Sequence, residues 1–149
     1  MKELRTEIEI AAPPERVWAA LMDFPSFPEW NPFIRHIQGT PAVGSRLEVT
    51  LGASGMKPMT FRPRVKNVLP NRELRWLGRV GLPRIFDGEH IFELLPLGPN
   101  RTRFVQRERF RGLFVPFLAK SLDRDARRGF EEMNRALKAR VSDDSTPGH

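Results

Sequence analysis

The sequence predicts an α+β domain: an antiparallel sheet with one long C-terminal helix lying across it. Three observations carry this. From about Val115 to Val141, apolar residues recur at spacings of three and four (Val115, Leu118, Leu122, Ala126, Phe130, Met133, Leu137 and Val141), the stripe of a single α-helix. From Ile34 to Phe110 the chain reads as strand after strand, and short connections make successive strands antiparallel neighbours. Helical patterns fall only near the start and at the end, and segregated helices on an antiparallel sheet define the class.

Taken in order, Leu4, Thr6, Ile8 and Ile10 alternate with Arg5, Glu7 and Glu9, a strand with one buried face. Ala11–Pro14 ends it, and the prolines suit the first turn of a short helix whose face is Val17, Trp18, Leu21 and Met22. Phe24–Phe33 is too rich in proline for a long element. It should form one or two helical turns pinned by aromatic packing, with Ser26 as a cap. Strands are then expected at Phe33–Gln38, Arg46–Leu51, Met59–Leu69, Glu73–Val80, Phe86–Leu95 and Arg101–Phe110. The final helix would be roughly 40 Å long at 1.5 Å per residue, enough to cross a small domain. Residues 1–141 are expected to form one domain, and Ser142–His149, polar with Pro and Gly, a disordered tail.

At 149 residues and 40% hydrophobic content the chain can bury a real core without staples. It has no cysteine, which excludes disulfides, thiol nucleophiles and thiolate metal sites. The start carries no apolar signal region and no run approaches the ~20 residues that span a bilayer, so a cytoplasmic protein is expected. The net charge of +7 would permit binding to nucleic acid or an anionic membrane. Strand parity offers a plainer origin for it. Asp87, Glu89 and Glu93 share one face of their strand, and Arg101, Arg103, Arg107 and Arg109 share the corresponding face of the next, with Arg75 and Arg79 on the strand before. Cross-strand ion pairs on a solvent face would use most of these arginines, which makes nucleic acid an unfavoured partner.

The opposite face is not wholly apolar. Phe86, His90 and Phe92 share it with Phe104, Gln106, Glu108 and Phe110, and the short turn places His90 nearly opposite Gln106 or Glu108. An inward carboxylate costs several kcal/mol unless paired or wet, so Glu108 should meet His90, an arginine or water. Histidine titrates near neutrality, and acid/base work by His90 and Glu108, with Gln106 beside them, is chemically open. Equally, Glu108 could sit solvated at the rim and His90 be a satisfied core residue. Other chemistries lack their motifs. Gly52–Gly55 has no phosphate-loop lysine, His36, His90 and His149 lack metal-site spacing, and no nucleophile elbow occurs.

The order of elements and several local motifs resemble the START-like SRPBCC superfamily, the helix-grip fold. The resemblance runs from Arg5 to Val141 and is carried by Ile8–Trp18, Pro28–Phe33, Leu74–Trp76, Phe86–His90 and Arg107–Leu113. It is closest in kind to the bacterial subfamily described as polyketide cyclase/dehydrase-like. The resemblance implies a seven-stranded antiparallel curved sheet wrapped around the long C-terminal helix, with two short helices between the first two strands. It also implies an apolar cavity between sheet and helix that holds a small hydrophobic ligand, such as a lipid, polyketide or other aromatic or isoprenoid molecule, without a cofactor or metal. By parity its wall would be Phe61, Trp76, Phe86, His90, Phe92, Phe104, Gln106, Glu108 and Phe110, closed from the helix by Leu118 and Leu122. For most of these aromatics, plain core packing is the simpler expectation, and Trp18 and Trp30 are assigned to packing outright. Gly78–Phe86 and Gly112–Phe117, including Phe114, are the two segments expected to form a mouth. As a gate or a lip they could make transient contact with a membrane; as a plug, Phe114 and Phe117 would fill the top of the core. The leading expectation is a non-enzymatic carrier or sensor. The alternatives are a cyclase or dehydratase-type enzyme using His90, Glu108 and Gln106, and a binder of anionic membrane or nucleic acid through the basic outer face.

Overall fold

The computed structural model describes residues 2–52, 57–79, 87–113 and 115–144, with the side chains at 118, 119, 121, 122, 143 and 144 excepted. Among the described residues, eight strands and four α-helices follow the expected order: β1 (Lys2–Ile10), α1 (Pro14–Met22), α2 (Phe27–Trp30), β2 (Ile34–Gln38), β3 (Glu48–Leu51), β4 (Met59–Phe61), β5 (Arg64–Leu69), β6 (Glu73–Arg79), β7 (Asp87–Gly98), β8 (Arg101–Arg111), α3 (Val115–Ser121) and α4 (Arg127–Asp144). All pairings are antiparallel.

The expected seven-stranded sheet is corrected to eight strands in two sheets, ordered β1-β8-β7-β6-β5 and β2-β3-β4. Pro63 is the cause. It lies within the expected strand Met59–Leu69, cannot donate to a ladder and splits that strand into β4 and β5. Around the kink the sheets stay joined, since Leu47 N–H donates to Pro63 O (2.9 Å) and Val65 N–H to Ser45 O (2.8 Å).

Proline also shapes the α1–α2 region. Pro14 opens α1, and a 3-10 turn at Phe24–Ser26 leads into α2. Phe24 and Phe27, then Phe27 and Trp30, pack edge to face at 5.6 and 5.2 Å. Ser26 does stand at the N-cap of α2 but makes no side-chain capping bond. Trp18 and Trp30 are half-buried against the core, as expected of packing residues.

The long helix runs without a gap from Val115 to Asp144 but changes winding in the middle. A π-helical segment, Leu122–Ala126, separates α3 from α4. Such a segment shifts the helix phase, because its bonds span five residues instead of four. On the expected stripe Phe130, Met133, Leu137 and Val141 are fully buried, Val115 is buried and Ala126 packs against the core. The helix also runs past the expected domain end at Val141, so Ser142–Asp144 are helical where a tail was expected.

The two faces of the sheet segregate as parity predicts. Arg107 pairs with Glu93 (2.6 Å) and Glu3 (3.3 Å), Arg109 with Glu3 (3.1 Å), Arg75 with Glu73 (3.2 Å) and Glu89 (3.7 Å), and Arg101 with Glu9. Ile91 and Val105 lie on this outer face yet are buried. Arg75 and Arg107 flank Ile91 in register, and their apolar stems can cover it while their heads reach water.

Candidate functional site

On the inner face, register sets two adjacent cross-sheet rows. One reads Leu4, Glu108, His90, Trp76, Val65; the next reads Lys2, Phe110, Gly88, Gly78. His90 is the centre of the first. Its Nδ1 lies 3.0 Å from Glu108 Oε1, and its Nε2 lies 2.9 Å from Gln106 Oε1. Aromatic rings enclose it: Phe92 stacks at 4.2 Å, Phe130 stands edge-on at 5.0 Å and Trp76 lies at 5.6 Å.

Behind His90 a polar chain continues through the core. Gln106 Nε2 donates to Asn134 Oδ1 (2.8 Å) and to the Phe130 carbonyl (3.2 Å), and Asn134 Nδ2 donates to Thr6 Oγ1 (3.0 Å). Gln106, Asn134, His90 and Thr6 are all buried, and each has a partner, which is the condition for such a chain to be tolerated. Asn134 is not among the residues expected at the site. A signal for it does exist in the sequence: it follows Phe130 by four residues and precedes Leu137 by three, a polar residue on the apolar stripe of α4. Thr6 likewise alternates with Leu4 and Ile8 on the inner face of β1.

At the other end of the chain, Glu108 is 18% exposed in its side chain, and among the described residues His90 is its partner. Of the three partners expected for Glu108, the structure supplies the histidine. The second row explains how the carboxylate fits. A Cβ at Gly88 would collide with Glu108 Oε2, and one at Gly78 would come within 2.9 Å of the Phe61 ring. The two glycines face each other across β6 and β7, and having no side chains of their own they let Phe61 and Glu108 lie against the backbone there, with Phe110 beside them.

The wall residues expected from parity thus divide. Trp76, Phe92, Phe104 and Gln106 are buried within the packed core, with Trp76 and Phe92 at 5.1 Å and Phe92 and Phe104 at 6.3 Å. Phe61 and Glu108 are partly exposed, and Phe110 is buried beside the glycine pair. Phe86 and Phe114 lie outside the described residues, as do the side chains of Leu118 and Leu122 and most of the expected mouth segment Gly78–Phe86. Phe117 does not plug the core: it is 83% exposed, and Leu113 is 71% exposed. Between β8 and α3, Gly112 adopts φ +130°, a left-handed conformation that favours glycine, and turns the chain from the sheet toward the helix.

A separate open groove of about 470 Å³ is lined by Pro28–Pro32 and Arg35. It shares no residue with the His90 chain. No group of His, Asp and Glu able to hold a metal occurs among the described residues, and no helix among them is long and apolar enough to cross a membrane.

A family model described as polyketide cyclase / dehydrase and lipid transport matches residues 1–142. The chain belongs to that family. Solved structures similar to this family member include a START superfamily protein from Mycobacterium smegmatis (23% identity, TM-score 0.77, covering 96% of this chain and 99% of that one). The Zhui aromatase/cyclase from Streptomyces sp. R1128 superposes with TM-score 0.79 at 14% identity over 98% and 96% of the two chains. A protein from Thermus thermophilus, TTHA0849, matches with TM-score 0.76 at 22% identity over 97% and 100%. At these identities the likeness establishes the fold. No curated protein sequence matches the chain.

Proposed function

We propose that this family member binds a small hydrophobic ligand at the glycine-lined end of the inner face, as a carrier or sensor. The observation that carries the reading is the Gly78–Gly88 pair beside Glu108. Glycine at both positions lets Phe61 and Glu108 lie close against the sheet, and a partly exposed carboxylate between the Phe61 and Phe110 rings suits an apolar molecule with one polar group. Phe61, Phe110 and Glu108 would touch the ligand, with Phe86, Phe114, Leu118 and Leu122 completing the enclosure. Trp76, Phe92, Phe104, Gln106 and His90 would form the rigid floor beneath it. Exposed Leu113 and Phe117 stand near exposed Arg111 and Lys120, a combination suited to transient contact with an anionic membrane. Native mass spectrometry of the purified protein tests the binding reading. A co-purified apolar molecule, or a one-to-one adduct with an added aromatic, is expected; a bare protein that takes up none of a panel of aromatics, lipids and isoprenoids would refute it.

The 3.0 Å approach of His90 Nδ1 to Glu108 favours a second reading, a cyclase or dehydratase-type enzyme with these two as acid and base. A His90→Ala variant that retains ligand affinity but loses turnover would decide for the enzyme.

A further inference from the structure

We infer that Gln106, held by Asn134 and the Phe130 carbonyl, keeps a proton on His90 Nε2, so that Nδ1, which shares a proton with Glu108, is the ring nitrogen that gives one up and takes one back. Gln106, Asn134 and Thr6 are then positioning residues for the site. The inference concerns the protein without ligand and stands or falls separately from the ligand-binding reading.

It follows from the direction of each hydrogen bond. A side-chain amide seen from its geometry alone can be turned end for end, and its neighbours must decide which end is which. Here the decision rests on a backbone carbonyl. Phe130 O can only accept, so the Gln106 atom 3.2 Å from it is the NH2 group. The same NH2 donates to Asn134 Oδ1, which leaves Asn134 Nδ2 to donate to the Thr6 hydroxyl. Turning Gln106 over would set its oxygen against two acceptors in a site with no exposed surface. Gln106 therefore presents Oε1 to His90, and the ring nitrogen 2.9 Å away must donate. The other ring nitrogen also faces an acceptor, so a proton lies between it and the carboxyl, on the ring or on the acid. That nitrogen is Nδ1, 3.0 Å from Glu108 Oε1.

The functional consequence is a polarity along the chain. Its buried end, Thr6 and Asn134, holds protons still, while its open end, Glu108 and Nδ1, can exchange them. The proton between Nδ1 and Glu108 can be handed through the carboxyl to a ligand acceptor, and the return step runs in reverse. The ring cannot pass it deeper, because Nε2 is already protonated and Gln106 offers only an acceptor.

Long-range proton–nitrogen correlation NMR on 15N-labelled full-length protein tests this, in buffer alkaline enough for a free histidine ring to be neutral. The chain has three histidines, and His90→Gln assigns the signals of the one that matters. The expected spectrum shows His90 with an N–H-type Nε2, whether the ring or the acid holds the proton shared with Glu108. A lone-pair-type Nε2, or two nitrogens averaged between tautomers, would overturn the inference. In Gln106→Leu, with folding checked by circular dichroism, Nε2 should lose that N–H character. A folded Gln106→Leu protein that keeps the wild-type pattern would overturn the positioning role; if that variant does not fold, the wild-type spectrum alone still decides whether Nε2 keeps its proton.

Discussion

Gln106→Leu should be among the most destabilising conservative-sized changes in this protein. Gln106 is fully buried and makes three hydrogen bonds, to His90, Asn134 and the Phe130 carbonyl. Phe130 O lies within α4 and keeps its helical partner. Two buried groups are orphaned: the Nε2–H of His90 and the Oδ1 of Asn134. Leaving a buried donor or acceptor unsatisfied costs about 1–3 kcal/mol each. Burial of the new leucine recovers some of this, about 1.5–3 kcal/mol at most. A net loss of about 1–3 kcal/mol is expected, lowering the midpoint by roughly 2–12 °C at about 2–4 °C per kcal/mol for a chain of this size. Urea unfolding followed by tryptophan fluorescence measures it. Removing both ends of the Gln106–Asn134 bond should hurt less than the sum of the single changes, so Gln106→Leu with Asn134→Leu should show coupling of at least about 0.5 kcal/mol. Strict additivity, or a single variant as stable as the wild type, would refute the polar chain as described.

Other outcomes follow from the same geometry. Gly88→Ala should push the Glu108 carboxylate away from His90 and, if the ligand sits beside the glycine pair, weaken aromatic binding at least tenfold with little change in fold; fluorescence titration reads it. Phe117→Ser should leave the unfolding midpoint nearly unchanged, since that side chain is 83% exposed, yet reduce co-sedimentation with phosphatidylglycerol vesicles if the lip meets a membrane. Arg101 hydrogen-bonds Glu9 and holds its carboxyl below the usual range, with Arg103 adding to the effect. A depressed folded-state value means the stabilisation is present above the ordinary carboxylate range and lost as pH falls through the folded value. Glu9→Gln should therefore flatten the acid limb of the stability profile slightly, and salt should shrink the difference because the pair is exposed.

Much of this was legible in the sequence because it depends on period and parity. The alternation of Glu89, Ile91 and Glu93 against His90 and Phe92 fixes which side faces the core, and register then follows from the short turn at Pro99-Asn100. The buried meeting of His90 with Gln106 and Glu108 was legible for that reason. The breaks were less so. Pro63 could have been read as the end of a strand, but Phe61 and Val65 keep the same parity across it and hide the kink. The π-helical segment at Leu122–Ala126 leaves no gap in the apolar spacing, which reads the same as in a regular α-helix. The partnership of Thr6 with Asn134 joins residues 128 positions apart, a contact that only the packing of α4 against β1 creates. The outer glutamates Glu3 and Glu9 pair with β8 for a similar reason: β1 returns beside the last strand, which local pattern does not reveal.

The most direct measurement is an amide NMR titration of the 15N-labelled protein with 2-naphthol, chosen for its apolar body and single hydroxyl. Saturable shifts concentrated at Gly78, Gly88, His90, Glu108 and Phe110 are the predicted result. Saturable shifts confined to the Pro28–Arg35 groove, or no shifts on the inner face at saturating probe, would contradict a ligand site built on the glycine pair.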